Sequence, residues 1–271
     1  MEEYYLTRTE KAILKKIAPL ISEDIKNKDI IELGNGDCSK ISIILEAIPF
    51  DLRKKTNYYP VDISDTAIQE SVESLKEDYP ELTIKGLVAD FLKHLDFLPN
   101  RKARFICFFG STLGNLSRKR SIEFLAGLND RMNPGDHLLL GLDMVKDVEV
   151  LEKAYNDAAG ITAEFNKNII HVINSYLGSR LDPNAFEHIS FYNHEFARIE
   201  MWLKALTDME ITNPYLKEKI RIEKGETIHT ENSHKFTLDH IQAFSNIPGL
   251  VIKEIYQDSN HWLSLVHFKA Y

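Results

Sequence analysis

The first half of the chain switches repeatedly between two hydrophobic periods, and few folds can absorb that pattern. Residues 9–26 (TEKAILKKIAPLISEDIK) place Ala12, Ile13, Ile17, Leu20 and Ile21 at helical spacing. DIIELG follows as a short apolar run closed by glycine, which reads as a buried strand and a turn. SKISIILEAI, at 39–48, is helical again. YYPVDIS reads as a second strand, and Ser64 with Asp65 opens a helix running through SLKEDY. TIKGLVADF, ARFICFFGS and HLLLGLDM read as the third, fourth and fifth strands. The helix between the last two, about 118–132, ends at the turn Asn133-Pro134-Gly135-Asp136. Strands alternating with helices call for right-handed crossovers and a parallel sheet covered on both faces. The expected fold class is α/β.

The alternation stops near residue 148. A long helical stretch, VLEKAYNDAAGITAEFNKNIIHVINSYLG, is followed by ARIEMWLKAL and IRIEKGETIH, which are patterned as antiparallel strands. After Thr237 the chain resumes with a helix, TLDHIQAFSNI, and two strands, LVIKEIYQD and WLSLVHFKA, spaced as a closing hairpin. The expected organisation is a sheet domain from 1–147 and 235–271, with 148–234 inserted as an α+β substrate domain. No Gly- or Ser-rich linker marks the boundary, so the insert is expected to pack firmly over the carboxyl edge of the sheet.

Composition removes several function classes. Lys and Arg number 33 against 41 Asp and Glu, a net charge of −8, and no basic run stands out. A phosphate-tracking surface needs clustered cations, so a nucleic-acid partner is not expected. Cys38 and Cys107 cannot build a disulfide framework or a metal site, and both are expected to be buried apolar residues. His229 and His234 lack a third ligand pattern, so they are read as structural or solvent-facing and no metal is expected. MEEYYLTRTEK is acidic and polar, unlike a signal peptide, and no apolar run approaches the roughly 20 residues of a membrane span. A cytoplasmic monomer acting on a small molecule is the expectation.

The chemistry concentrates at strand ends. Glu32-Leu33-Gly34-Asn35-Gly36-Asp37 lies between the first strand and a helix, where an open α/β sheet builds its ligand crevice. No third glycine follows at the dinucleotide spacing, because Lys40 and Ile41 occupy that region. Asp62 closes the second strand, where a carboxylate accepts hydrogen bonds from ribose hydroxyls. Asp90 closes the third, and with Phe91 beside it could hold an adenine by its amino group and ring face. Singly, each of these reads equally well as a helix cap or a turn residue. Together they describe an adenosine site without a diphosphate cradle, which favours S-adenosylmethionine over NAD. Lys40 could reach the cofactor's carboxylate. The closing hairpin also belongs to the class I methyltransferase (Rossmann-like) plan.

The stretches EEYYLTRTEKAIL, IELGNGDCSK, YYPVDIS, LVADF, FFGSTLGNLS, LGLDMVKD, YNDAAGITAEFN, FEHISFY, IEMWL and TENSHKF run in order through nearly the whole chain. In them the sequence resembles the histidine-specific methyltransferase family, which works on the α-amine of histidine in ergothioneine biosynthesis and includes enzymes that methylate prenylated tryptophan. The resemblance implies S-adenosylmethionine as methyl donor, S-adenosylhomocysteine as product and a small amino acid as acceptor. It implies cofactor contacts at Gly34, Lys40, Asp62, Asp90 and Phe91. It implies that Asn115 and Tyr155 hold the substrate carboxylate, that Glu231 and Ser233 face the imidazole, and that Met201 and Gly110 line the pocket. Tyr4, or its neighbour Tyr5, matches the tyrosine of the family's YYPTR motif that sits near both ligands. Leu6 replaces the proline of that motif, and the several dozen residues that usually precede it are absent from this sequence. That departure bears on the acceptor. Another small aromatic amine, or cofactor binding without turnover, stays open beside histidine.

Overall fold

A strand buried along its whole length has no solvent face, so it must sit inside a sheet with cover on both sides. Three such strands anchor the computed structural model, which describes residues 3–93, 95–215 and 218–271. They are Asp29–Leu33, Arg104–Phe108 and His137–Asp143. The contacts divide the chain into two units, residues 6–145 with 236–271, and residues 3–5 with 146–235.

In the first unit the chain runs α1 (Leu6–Ile25), β1 (Asp29–Leu33), α2 (Ile41–Ala47), α3 (Phe50–Arg53), β2 (Asn57–Asp62) and α4 (Asp65–Asp78). It continues through β3 (Thr83–Ile84), β4 (Leu87–Val88), β5 (Arg104–Phe108), α5 (Arg118–Asn129) and β6 (His137–Asp143). Serine caps start two of these helices. Ser64 and Ser117 each accept a main-chain N–H from the first turn of α4 and α5. β1 pairs in parallel with β2 on one side and with β5 on the other, and β5 pairs in parallel with β6. The chain order therefore reverses at β1, and the carboxyl ends of β1 and β5 part to leave the crevice that such sheets use for ligands.

Alternation along the buried strands divides the core in two. Ile30, Phe105, Cys107 and Leu139 pack with Ile13, Leu14, Ile17, Ala18 and Ile21 of α1. Ile31, Ile106, Phe108, Leu138 and Leu140 pack with Phe124, Leu125 and Leu128 of α5. Both cysteines are buried and unbridged. The face of α1 differs from the one expected, because Ala12 is exposed and Leu20 is 67% exposed. The buried stripe runs through 13, 14, 17, 18 and 21, which leaves both residues on its flanks. The third strand also differs. It breaks into β3 and β4 around Gly86, where a Cβ would lie 2.3 Å from Ile68 of α4. Backbone and helix approach too closely there for any side chain.

The second unit contains α6 (Val148–Tyr155), α7 (Ile161–Leu177) and five strands, β7 (Phe186–Asn193), β8 (Arg198–Ala205), β9 (Met209–Asn213), β10 (Glu218–Ile222) and β11 (Thr227–His234). β11, β8 and β7 form an antiparallel sheet, and β9 with β10 a separate hairpin. The expected single helical stretch is interrupted at Asn156. Buried Asp157 accepts the N–H groups of Ile161 and Thr162 at 2.9 and 2.7 Å, and so caps α7. Gly160 takes φ +71° in that turn, which accounts for the DAAG of the motif. Residues 3–5 group with this unit, whereas the sequence pattern assigns them to the sheet domain. The ring of Tyr4 meets that of Tyr155 edge-on at 6.3 Å, and Lys146 donates to the Tyr5 hydroxyl at 2.6 Å.

The chain returns to the first unit through α8 (Leu238–Ala243), β12 (Leu250–Gln257) and β13 (Leu263–Ala270). Thr237 and His240 close a reciprocal capping box on α8. β13 runs antiparallel to both β6 and β12, which completes the sheet order β12-β13-β6-β5-β1-β2-β3, with β4 beside β2.

Candidate active site

In the sheet unit, main-chain bonds tie the loops after three strands together. Gly34 N–H donates to Val61 O, and Ala89 N–H donates to Asp62 O, each at 2.8 Å. Gly34 has φ +73°, a conformation that glycine adopts without strain and that leaves its backbone bare. Asp62 ends β2 half-buried, with Oδ1 accepting the Ser64 N–H at 3.0 Å. Asp90 lies two residues beyond β4 rather than at the strand's last residue, because the strand ends at Val88. It pairs with Lys93 at 2.9 Å. Phe91 packs edge-on against Phe108 at 5.6 Å. Gly34, Asp62, Asp90 and Phe91 thus belong to one ring of loops. A cavity of about 650 Å³ adjoins Phe91 along α5 but includes none of the other three.

Two buried carboxylates in this region went unread in the sequence. Glu10 of α1 is fully buried and accepts from Lys40 Nζ at 2.9 Å and from Gly110 N–H at 2.9 and 3.1 Å. Burial pushes its pKa up and the Lys40 charge opposes that. A Cβ on Gly141 would fall 2.0 Å from Glu10 Oε1, so that glycine makes room for the carboxylate. Lys40 is therefore held by Glu10 of α1. Gly110, φ +75°, is held by the same group. Asn115 ends the short 3₁₀ turn Thr112–Asn115 and is exposed.

Glu32 lies two residues before Gly34. Burial raises its pKa from 4.5 to about 8, outweighing the hydrogen bond donated by Tyr58. A carboxyl whose folded pKa is raised stabilises the protein fully below its unfolded pKa and loses that contribution as pH climbs through the folded one. Between about pH 5 and pH 8, wild type should therefore lose a few kcal/mol of unfolding free energy relative to Glu32→Gln, at about 1.4 kcal/mol per pKa unit. Urea unfolding of both proteins across that range measures it, and parallel curves would refute it.

In the second unit, β11 and β8 bring the other expected residues together. Glu231 pairs opposite Met201 and Ser233 opposite Ile199, so all four share one face of the antiparallel sheet. An irregularity between His229 and Glu231 sets this register, with Thr230 Oγ1 donating to Met201 O at 2.9 Å. Tyr155, the last residue of α6, meets Ser233 Oγ through its hydroxyl at 2.9 Å. Its carbonyl accepts from His188 Nε2 at 3.0 Å. Asn166 Nδ2 donates to His188 Nδ1, the arrangement in which Nε2–H donates to that carbonyl. Burial raises the pKa of Glu231, with Lys235 opposing. Lys235, another residue the sequence did not single out, is fully buried and donates to Tyr155 Oη at 3.0 Å and to Ser233 Oγ at 2.8 Å.

Of the two N-terminal tyrosines, Tyr4 faces Tyr155 and Tyr5 is buried against Lys146. His229 stacks on Trp202 at 4.5 Å, and buried His234 turns Nδ1 to Phe196 O at 3.2 Å. Asp24, His137 and His267 converge in the sheet unit with the geometry of a metal-ligand set. Lys253 takes both oxygens of Asp24, and the two imidazoles bond each other at 2.7 Å. Burial lowers both histidine pKa values to about 4. The mutual bond and the lysine engage one nitrogen of each imidazole and both aspartate oxygens, while His267 Nδ1 is buried without a hydrogen-bond partner.

A family model described as histidine-specific methyltransferase, SAM-dependent, matches residues 1–270. The chain is 37% identical over 243 residues to a histidine N-alpha-methyltransferase of Mycolicibacterium smegmatis, covering 90% of this chain and 75% of that one. It is 35% identical over 252 residues to a protein of the same name from Mycobacterium tuberculosis, covering 92% and 78%. An S-adenosylmethionine-dependent methyltransferase structure from Clostridium acetobutylicum matches with a TM-score of 0.53 at 10% identity, over 96% of this chain and 92% of that one. That likeness bears on the fold alone.

Proposed function

Because the chain belongs to the histidine-specific, SAM-dependent methyltransferase family, we infer that it methylates the α-amine of histidine. The observation that carries this reading is the shared face of Met201, Glu231 and Ser233, with the Tyr155 hydroxyl bonded to the serine. A half-buried carboxylate beside an apolar thioether suits a flat ring with an N–H, and a hydroxyl can serve a second ring nitrogen.

The sheet unit fits S-adenosylmethionine. Gly34 leaves its backbone bare for close approach, and Asp62 has Oδ2 left to accept from ribose hydroxyls. Asp90 and Phe91 suit an adenine, and Lys40 a carboxylate. When bound, the cofactor supplies an activated methyl group, so the chain needs no covalent nucleophile. Its residues have instead to align an amine with that methyl group and exclude water. Asn115 and Tyr155 are assigned the acceptor's carboxylate and Glu231 with Ser233 its ring, which leaves the α-amine as the reacting group. Tyr4 or Tyr5 is assigned to the amine as an oxygen acceptor that could carry its proton away.

The test is incubation with S-adenosylmethionine and histidine, read by mass spectrometry with fragmentation to locate the added methyl. Methyl groups on the α-nitrogen are expected. Methylation of a ring nitrogen, or of tryptophan but not histidine, would overturn the reading. In the same assay Asp62→Ala should weaken cofactor binding by about 1–3 kcal/mol through lost charge-assisted hydrogen bonds.

A further inference from the structure

Lys235 lies one residue beyond β11, with its main-chain N–H fixed to Ala197 O at 2.8 Å. Its side chain is wholly buried, and its ammonium is 4.6 Å from the Tyr155 ring centroid. An ammonium has three donors and no acceptor. The hydroxyl oxygens of Tyr155 and Ser233, at 3.0 and 2.8 Å, must therefore both accept from it. The two hydroxyls are also 2.9 Å apart, so one of their protons bridges them and the other is turned away from the cluster. A hydroxyl that accepts from a cation becomes a stronger donor, and the effect grows where water is excluded. Once the bridge opens, each hydroxyl has a proton for the ligand, and that of Tyr155 suits an anion.

We propose that Lys235 determines specificity for an acceptor with a free α-carboxylate, acting through Tyr155, so that amino acids are taken over their decarboxylated amines. The proposal rests on the reading of the acceptor given above. Lys235 is here a positioning residue, since it acts on the carboxylate through the Tyr155 hydroxyl. Glu231 and Ser233, on β11, are left to read the ring. The two ends of the acceptor are then recognised by separate groups.

The experiment is calorimetry with S-adenosylhomocysteine saturating, titrating histidine and histamine, which share a ring and an amine and differ in the carboxylate. Wild type should bind histidine at least 30-fold more tightly. In Lys235→Met histidine should weaken by about that factor and histamine by less than threefold, so that the discrimination collapses. Lys235→Arg should restore part of it. Equal losses for both ligands would mark a structural role and overturn the proposal. If Lys235→Met does not fold, the wild-type comparison still decides, and equal affinities there would also overturn it. A wild type that binds histamine but not histidine refutes the carboxylate assignment. One that binds neither, while still binding S-adenosylhomocysteine, refutes the histidine reading and this proposal with it.

Discussion

Asp136→Ala is expected to lower the unfolding free energy by about 3–5 kcal/mol, the cost of leaving one member of a buried ion pair without the other. Asp136 and Arg104 are both buried, and the guanidinium donates through Nε at 2.8 Å and through Nη2 to the same carboxylate oxygen. The aspartate does more than balance a charge. Its Oδ1 accepts the Arg104 main-chain N–H at 2.7 Å, and its Oδ2 accepts that of Asn133 at 2.7 Å. It therefore joins the start of β5 to the Asn133-Pro134-Gly135 turn before β6, both central in the sheet. The remaining guanidinium contacts, to the carbonyls of Pro99 and Arg131, are to neutral groups and cannot replace the carboxylate. Replacing both partners together, as Arg104→Met with Asp136→Leu, should recover a large part of the loss, because no buried charge is then stranded. Denaturant unfolding of the three variants is the measurement. A loss below about 1 kcal/mol for Asp136→Ala would show that the pair is not a fixed part of the folded state.

The same pair illustrates what the sequence makes legible. Asp136 is visible there only as the end of a turn, because its partner is 32 residues away. Local patterns carried the sheet. DIIEL, RFICF and HLLLGLD each carry a short apolar run, and the serines and threonine before α4, α5 and α8 mark their starts by capping chemistry. Gly34 and Asp62 could be found because a ligand crevice belongs to the carboxyl ends of strands, and those ends can be located from periodicity. Glu10 could not. It sits in an amphipathic helix as one charge among several, and only the folded chain brings Gly110 to it across 100 residues. A sharper reader could have asked why Gly141 interrupts the apolar run of β6, since that glycine is the imprint of Glu10. Lys235 was hidden in the same way, since a lysine between His234 and Phe236 looks like any surface cation. β7 and β9 escaped because their alternation is weak, with Glu187, His188 and Ser190 interrupting the apolar positions of β7. The interruption of the helical stretch at Asn156 was legible in principle. An aspartate four residues before a β-branched helix start, with a glycine between, is a capping signal that the length of the apolar stretch obscured.

Glu231→Ala is expected to reduce histidine affinity by about 10–150-fold, corresponding to the 1.5–3 kcal/mol of a hydrogen bond to a charged group. Cofactor-product affinity should change by less than threefold. The carboxylate sits opposite Met201 on the antiparallel sheet, and burial raises its pKa with only the Lys235 charge opposing. A carboxylate kept from water without a donor is costly, so a ligand that brings an N–H to it recovers energy that an apolar ring cannot. Sites built on such a bond discriminate against analogues lacking it far more strongly than apolar pockets reject a missing methylene. Phenylalanine, with no ring donor, should therefore bind wild type poorly. Tryptophan has one N–H and no ring acceptor, so it can serve Glu231 but gives Ser233 nothing to donate to, and should fall between the two. In Glu231→Ala the three ligands should converge, with phenylalanine gaining relative to histidine because the half-buried charge is gone. Ser233→Ala should lower histidine more than tryptophan, for the converse reason. Titration of the three amino acids into wild type and both variants, with S-adenosylhomocysteine saturating, separates these outcomes. A variant that loses histidine and phenylalanine alike would place Glu231 in support of the fold. Equal wild-type affinities for the two would remove the histidine pocket while leaving the methyltransferase itself standing.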